Sequence, residues 1–335
     1  MTADAPSAGA WSKTLAPYRQ ARTGRSILEI VITIVPLLAL WAAAWALHAH
    51  GWWWASLLLT IPASGFLIRL FMIQHDCGHG SFFGPKQAND WVGRVIGVFT
   101  LTPYDYWRQT HAMHHATSGN LDRRCHGGIG MLTVVEYDAL PPMRRLAYRL
   151  YRHPLVMFGL GPAYVFLAEQ RLPVSLMKQG WRPWASVIGN GLAVLAGLGG
   201  LIWLFGLAPV LIVNVVTMLL AATMGVWLFY VQHQFEGAYW ARSGAWKRDD
   251  AALMGSSHYD LPPVLRWFTA NIGIHHVHHL SSRIPFYHLS KVLKDHPELH
   301  GVSRIGLWES FRLARLALWD EAAGRLVSFR DARAR

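Results

Sequence analysis

The chain has 335 residues, of which 53% are hydrophobic and only 15% charged, with 17 tryptophans and a positive mean hydropathy. These proportions exclude an ordinary soluble domain and point to a membrane protein. The formal net charge of +12 does not indicate a nucleic-acid partner, because the basic residues flank apolar runs, as the positive-inside pattern requires.

Residues 1–25 read as a cytosolic N-terminal segment carrying Lys13, Arg19, Arg22 and Arg25. They lack the small-residue cleavage site of a secretory signal peptide. A first membrane-length helix is expected over 26–48, with Glu29 near its basic end and Pro36 inside, where a kink is tolerated. His48, His50 and Gly51 form a turn without Lys or Arg, and Trp52, Trp53 and Trp54 sit where an interfacial aromatic belt belongs. A second span over 53–73 returns and delivers His75 and His79 just past its end. The apolar run Val92–Leu101 is too brief to cross a bilayer and reads as interfacial or re-entrant. Ser118-Gly119-Asn120 supplies stop chemistry for the helix before it. Pro154–Ala168 is apolar but short of a spanning length, and fits a helix half-immersed along the cytosolic leaflet. Third and fourth spans are expected over 184–205 and 210–231, joined by the chargeless turn Gly206–Pro209. Beyond them Pro262, Pro263, Pro285 and Pro297 divide the C-terminal third into short cytosolic elements.

The expected fold is therefore an all-α integral membrane protein, with four transmembrane helices as two hairpins, interfacial helices and a cytosolic histidine-rich cap. Residues 26–335 form a single domain. Basic residues cluster before the first span, between the second and third, and after the fourth, which places both termini in the cytosol.

Three histidine clusters stand out: His75-Asp76-Cys77-Gly78-His79, His111-Ala112-Met113-His114-His115, and His275-His276-Val277-His278-His279. A lone histidine in a helix is usually a surface group or a satisfied core group. Here, side chains three and four positions apart share a helix face, so His75/His79, His111/His114/His115 and His275/His278/His279 can each turn inward together. Eight imidazoles exceed what one tetrahedral ion needs and suit two octahedral-leaning ions. Neutral imidazole suits iron, zinc, copper and nickel, with iron preferred. Cys77 and Cys125 fall in histidine-rich segments on the cytosolic side, where thiols stay reduced. Cys77, two residues from His75, points off the shared face and reads as packing.

The same inspection removes two architectures. No Glu has a His three residues later, as a carboxylate-bridged di-iron bundle needs. His75–His79 imitates a His-Glu-x-x-His protease helix only with aspartate, and leaves the other two clusters idle.

The ordered trio of boxes, together with the tail from His278-His279-Leu280 through Ile284-Pro285-Phe286-Tyr287-His288-Leu289, resembles the integral-membrane fatty acid desaturases over about residues 60–295. The three residues between the histidines of the first box, followed by Gly80-Ser81-Phe82, look like the acyl-lipid delta-12 and omega-3 branch, and the third box fits its bacterial members. The resemblance implies iron ligands at His75, His79, His111, His114, His115, His275, His278 and His279. His233, at the end of the fourth span, resembles the family's additional ligand. Phe229 stands where acyl-CoA relatives carry a water-bridging asparagine. His276 occupies a variable position and, with Asp76 and Asn271, is a candidate to support the ligands without binding metal; Asp105 and Asp122 are further candidates to receive imidazole N–H bonds.

The implied reaction turns two adjacent methylenes of a lipid-linked acyl chain into a double bond, with two iron ions (Fe2+/Fe3+) as cofactor and O2 as co-substrate. Tyr104, Trp107, Trp227 and Phe229 are possible lining of an acyl tunnel. No cytochrome b5-like module is fused, so reducing equivalents are expected from an external donor such as ferredoxin or cytochrome b5. The implied location is a bacterial inner membrane. Two other classes compete: a di-iron hydroxylase or ketolase of alkanes, sterols or carotenoids, and a metal-binding membrane scaffold or transport protein.

Overall fold

A computed structural model describes residues 8–124 and 127–333; Cys125, expected to be a reduced thiol, lies outside them. Two long helices open the bundle, α1 (Thr23–Ala49) and α2 (Trp53–His79). They form an antiparallel hairpin turned by Gly51 at φ 82, a left-handed conformation that glycine reaches without steric cost. Two shorter helices, α3 (Lys86–Phe99) and α4 (Tyr104–Thr117), follow against α2. Next come the amphipathic α5 (Pro142–Tyr151) and, after a π-helical turn over Val156–Leu160, the apolar α6 (Gly161–Leu167). The second hairpin is α7 (Trp181–Phe205) and α8 (Leu207–His233). The cap then adds α9 (Arg248–Met254), α10 (Pro263–Phe268), α11 (His275–Leu280), α12 (Phe286–Asp295) and α13 (Leu307–Leu313).

Among the described residues, four helices, α1, α2, α7 and α8, are long and apolar enough to cross a membrane, in the order expected. One boundary differs in a way that matters. The second span was expected to stop at residue 73, whereas α2 runs without a break through His79 and ends at Gly80, a left-handed cap at φ 65. The apolar run ends before the helix does, because the last turns are polar residues facing the protein interior. Gln74, His75, Asp76 and Cys77 are all buried. The first histidine box is therefore part of a spanning helix.

Polar contacts inside the bundle fix the hairpins to one another. Trp45 Nε1 donates to Asn214 Oδ1 at 3.1 Å, joining α1 to α8. Arg69 of α2 is buried, hydrogen-bonds both Glu29 of α1 and the Trp267 carbonyl, and lies 4.0 Å over the Trp267 ring. One guanidinium thus ties both helices of the first hairpin to the segment leading into the third histidine box. Glu29 is also paired with Arg25 at 2.6 Å, so it is removal of Glu29 that leaves a charge, the Arg69 guanidinium, buried without its carboxylate, a loss of roughly 3–5 kcal/mol.

Two small sheets supplement the helices, and the all-helical expectation did not contain them. β1 (Leu132–Thr133) runs parallel to β4 (Leu316–Asp320), which is antiparallel to β5 (Arg325–Ser328). β2 (His258–Asp260) runs parallel to β3 (Arg304–Gly306). These strands have two to five residues, too few for a period-two pattern to register. Most of their partners are also remote in sequence.

Candidate metal centre

The three histidine clusters and His233 converge where the inner ends of α2 and α8 meet α4 and α11. Helical spacing brings His75 and His79 to one face of α2, and His111, His114 and His115 to the facing side of α4. The third cluster needs more than periodicity. Ala270 and Asn271 both take left-handed backbone conformations, φ 51 and φ 57, rarely adopted by residues with a Cβ. They turn the chain sharply between α10 and α11. Gly273 then passes so close to β2 that a Cβ there would lie 2.3 Å from the Tyr259 carbonyl oxygen. The Tyr259 amide donates to the Gly273 carbonyl at 2.8 Å. β2 is thus the rail that holds α11 in place.

The imidazole nitrogens fall into two nests. His75, His79, His111, His115 and His278 each offer a nitrogen within 4.8 Å of all the others, and His114, His233 and His279 form a second such group. His275 adjoins the second group, with Nε2 3.0 Å from His233 Nε2 and 3.1 Å from His279 Nε2. In the first nest Nε2 atoms follow one another from His79 to His111, His115 and His278, each 3.1 Å from the next. These contacts cannot all be hydrogen bonds. A protonated nitrogen has no lone pair to accept with, so four successive atoms satisfy at most two of their three contacts. A cation satisfies all of them at once. Metal–nitrogen bonds of about 2.1 Å place neighbouring ligands of an octahedral ion roughly 3 Å apart, which is the spacing present. The donor set therefore fits a pair of metal ions bound by imidazole alone.

Electrostatics agrees with that reading. Burial holds His111, His114, His115, His275, His278 and His279 well below the ordinary imidazole range, with neighbouring imidazoles adding to the effect. Each stays neutral, the form that coordinates metal.

The supporting residues divide. Asp76 Oδ1 lies 3.2 Å from His75 Nδ1, and its other oxygen accepts the Phe286 amide at 2.7 Å. The same carboxylate thus orients a ligand ring and pins α12 beneath it. His276 is fully buried and belongs to neither nest; its ring faces the backbone of Leu299 and Ser257. Asn271 Oδ1 accepts from the Ser290 hydroxyl at 3.0 Å, and its backbone is part of the left-handed turn before α11. Asp105 pairs with Arg94 and Asp122 with Arg242, so neither serves an imidazole. Sequence reasoning missed the Gly255 carbonyl, 3.0 Å from His233 Nδ1. No side-chain signal marks a backbone acceptor 22 positions away.

A cavity of about 650 Å³ opens beside the first nest, within the roughly 300–1,000 Å³ of ligand-binding clefts. His75, His111 and His275 border it. Its apolar walls include Leu67, Phe71 and Met72 on α2, and the small residues Ala221, Ala222 and Gly225 on α8. Leu160 and Tyr164 also line it and are themselves 70% and 62% exposed, on the turn and helix between α5 and α7. Of the four aromatic residues considered as lining, Trp107 and Phe229 border the cavity. Tyr104 is instead buried, its hydroxyl donating to the Cys77 carbonyl at 2.8 Å, and Trp227 Nε1 donates to the Tyr259 hydroxyl at 3.3 Å. Cys77 is buried among apolar groups, as its place on the helix predicted.

Fold and site together define a membrane protein with four spanning-length helices and two histidine nests able to hold metal, next to an apolar cavity. The model of the fatty acid desaturase family matches residues 51–309. A fatty acid desaturase of Bacillus subtilis (strain 168) is 42% identical over 319 residues, 95% of this chain and 90% of that protein. An sn-1 acyl-lipid omega-3 desaturase (ferredoxin) of Synechocystis is 30% identical over 261 residues, covering 74% of this chain and 68% of that protein. The sn-1 oleoyl-lipid 12-desaturase of the same organism is 25% identical over 285 residues, 81% and 75% of the two chains. The chain belongs to the fatty acid desaturase family and is an oxidoreductase.

Proposed function

We propose that the protein is an O2-dependent desaturase of lipid-linked acyl chains, of the delta-12 or omega-3 kind, with two iron ions held by nine histidines. The observation that carries this reading is the convergence of imidazole nitrogens at the wall of an apolar cavity. His75, His79, His111, His115 and His278 would hold one ion, and His114, His233, His275 and His279 the other. When bound, the iron pair would supply the oxygen-dependent oxidising power that unactivated C–H bonds require.

The balance is R–CH2–CH2–R′ + O2 + 2 e⁻ + 2 H⁺ → R–CH=CH–R′ + 2 H2O. The two electrons would come from an external donor of the ferredoxin or cytochrome b5 class, and the name of the Synechocystis omega-3 relative includes ferredoxin. The protein's own residues bind and orient. Asp76 and the Gly255 carbonyl fix the rings of His75 and His233, so these two rings are oriented to hold a metal ion before substrate arrives. The apolar walls take the methylene chain out of water and hold two adjacent carbons beside His75, His111 and His275. Leu160 and Tyr164, which border the cavity and are exposed on the surface, favour lateral entry of a chain still attached to its lipid.

The test is product analysis. The chain is expressed in cells of known lipid composition, and fatty acid methyl esters are separated by gas chromatography. A new alkene in intact glycerolipids is expected, and hydroxylated acyl chains without any new alkene would overturn the reading. We further propose that the histidine end of the bundle faces the cytosol of a bacterial inner membrane, which the basic flanks of the spans support.

A further inference from the structure

β2 and β3 are parallel, with His258 opposite Arg304 and Asp260 opposite Gly306, so the chain leaves both strands in the same direction. After β2 it enters α10 within three residues, and after β3 it enters α13 at once. Two short helices therefore leave the same end of this strand pair.

Their depth can be read from what they touch. Trp267 and Phe268 of α10 meet Phe66 of α2 with ring centroids 5.8 and 5.1 Å away. Gly65 lies so close to Phe268 that a Cβ would fall 2.9 Å from its ring. Phe66 precedes His75 by nine residues, which places it about 13 Å deeper along the span. On the other side, Phe311 of α13 lies 5.3 Å from Trp227 of α8, six residues and about 9 Å before His233. Side chains of both helices therefore reach the apolar lengths of spanning helices below the histidine level, while the end of α13 lies at Tyr230, whose hydroxyl donates to the Leu313 carbonyl at 2.8 Å.

Their outer faces are apolar and uncovered. Val264 is 67% exposed, Trp308 81% and Phe311 55%, whereas Ser310 and Leu313 on the opposite face of α13 are buried. Trp308, Phe311 and Arg312 share one face by their i, i+3, i+4 spacing. Arg312 is exposed on that face, and Arg266 is exposed on α10 two residues from Val264, toward the other side of that helix. Glu309, the acidic residue of α13, turns back toward the Gly306 amide at 3.3 Å.

We propose that α10 and α13 form a paired insertion into the leaflet on the histidine side, with Val264, Trp308 and Phe311 among acyl chains and Arg266 and Arg312 at the phosphate level of anionic phospholipid. The apolar faces continue the lipid-facing surface of α2 and α8, and the two arginines complement phosphate charge. The cap is thereby gripped by the bilayer through the strands that rail the third histidine box.

The full chain, reconstituted in nanodiscs of equal parts phosphatidylcholine and phosphatidylglycerol, tests this by photocrosslinking. p-Benzoylphenylalanine replaces Val264 or Phe311. Leu195 on α7, 68% exposed, is the lipid-facing control, and Glu321, paired with Arg242 on the cap, is the aqueous control. Intact-mass analysis after irradiation should show phospholipid adducts at 264, 311 and 195, and none at 321. At 264 and 311 phosphatidylglycerol should be enriched, up to roughly five-fold per arginine. The double variant Arg266→Gln/Arg312→Gln should return that ratio to one without changing the Leu195 adducts. Lipid adducts at 195 alone, crosslinks from 264 or 311 to a second copy of the chain, adducts at 321, or no lipid preference would each overturn the proposal.

Discussion

An imidazole buried among other imidazoles is useful only as a neutral donor of its lone pair, and burial enforces that state at His111, His114, His115, His275, His278 and His279. The contrast between His233 and His276 tests how far position alone defines a ligand. His233 lies outside the three boxes, yet its Nε2 is 3.2 Å from His114 Nε2 and 3.0 Å from His275 Nε2. His276 lies inside a box, yet it belongs to neither nest and faces the backbone of Leu299 and Ser257. His233→Ala should lower the metal content per protein, measured by mass spectrometry, and abolish alkene product while the membrane helices stay folded. His276→Phe should keep the metal and a measurable share of turnover, because an apolar ring of similar volume keeps the packing and removes no nitrogen from either nest. His276→Ala should also keep the metal, with stability lowered by roughly 2–5 kcal/mol for the emptied space. Metal lost in His276→Phe and kept in His233→Ala would reverse the assignment.

Helix α8 does two jobs along its length, presenting His233 at one end and a wall of small residues further down. Gly225 is the sharpest place to separate them. It lines the cavity, and a Cβ built there meets nothing within 4 Å. Leucine is also the better helix former, by several tenths of a kcal/mol or more. Gly225→Leu should therefore leave helix and metal content intact while filling space meant for methylenes. Mismatches of one methylene in an apolar pocket change discrimination by about 10-fold or more, so KM for long acyl chains should rise by at least that order. Unchanged KM together with unchanged metal would show that the chain lies elsewhere. The left-handed pair Ala270 and Asn271, between α10 and α11, is a second element-scale device: it aims the third box, and no hydropathy or helical period announces it.

At the scale of the molecule, the two hairpins bring the inner ends of α2 and α8 to one side, the condition for a single site. Reporter fusions placed after His50 and after Gly206 should face away from the compartment reached by a fusion after Lys178. The physical ground is that both turns lack Lys and Arg while the 171–182 segment carries Arg171, Lys178 and Arg182. A fusion after Lys178 found on the same side as those after His50 and Gly206 would break the two-hairpin arrangement.

The sequence by itself determined the four apolar lengths, their order, and the helical faces that gather His75/His79, His111/His114/His115 and His275/His278/His279. Each of these is a local pattern, set by hydropathy or by the 3.6-residue turn, and local patterns survive in one dimension. Residue resemblance added His233, which no spacing could reach. Only the tertiary structure decided how the histidines divide between two nests, since that depends on contacts between Nε2 atoms on α2, α4, α8 and α11. It alone supplied the Gly255 carbonyl behind His233, the double duty of Asp76, the parallel pairing of β2 with β3, and the cavity between α2 and α8. Their common physical reason is range: a backbone acceptor, a three-residue strand or an empty volume has no sequence period, and exists only once remote segments are packed together.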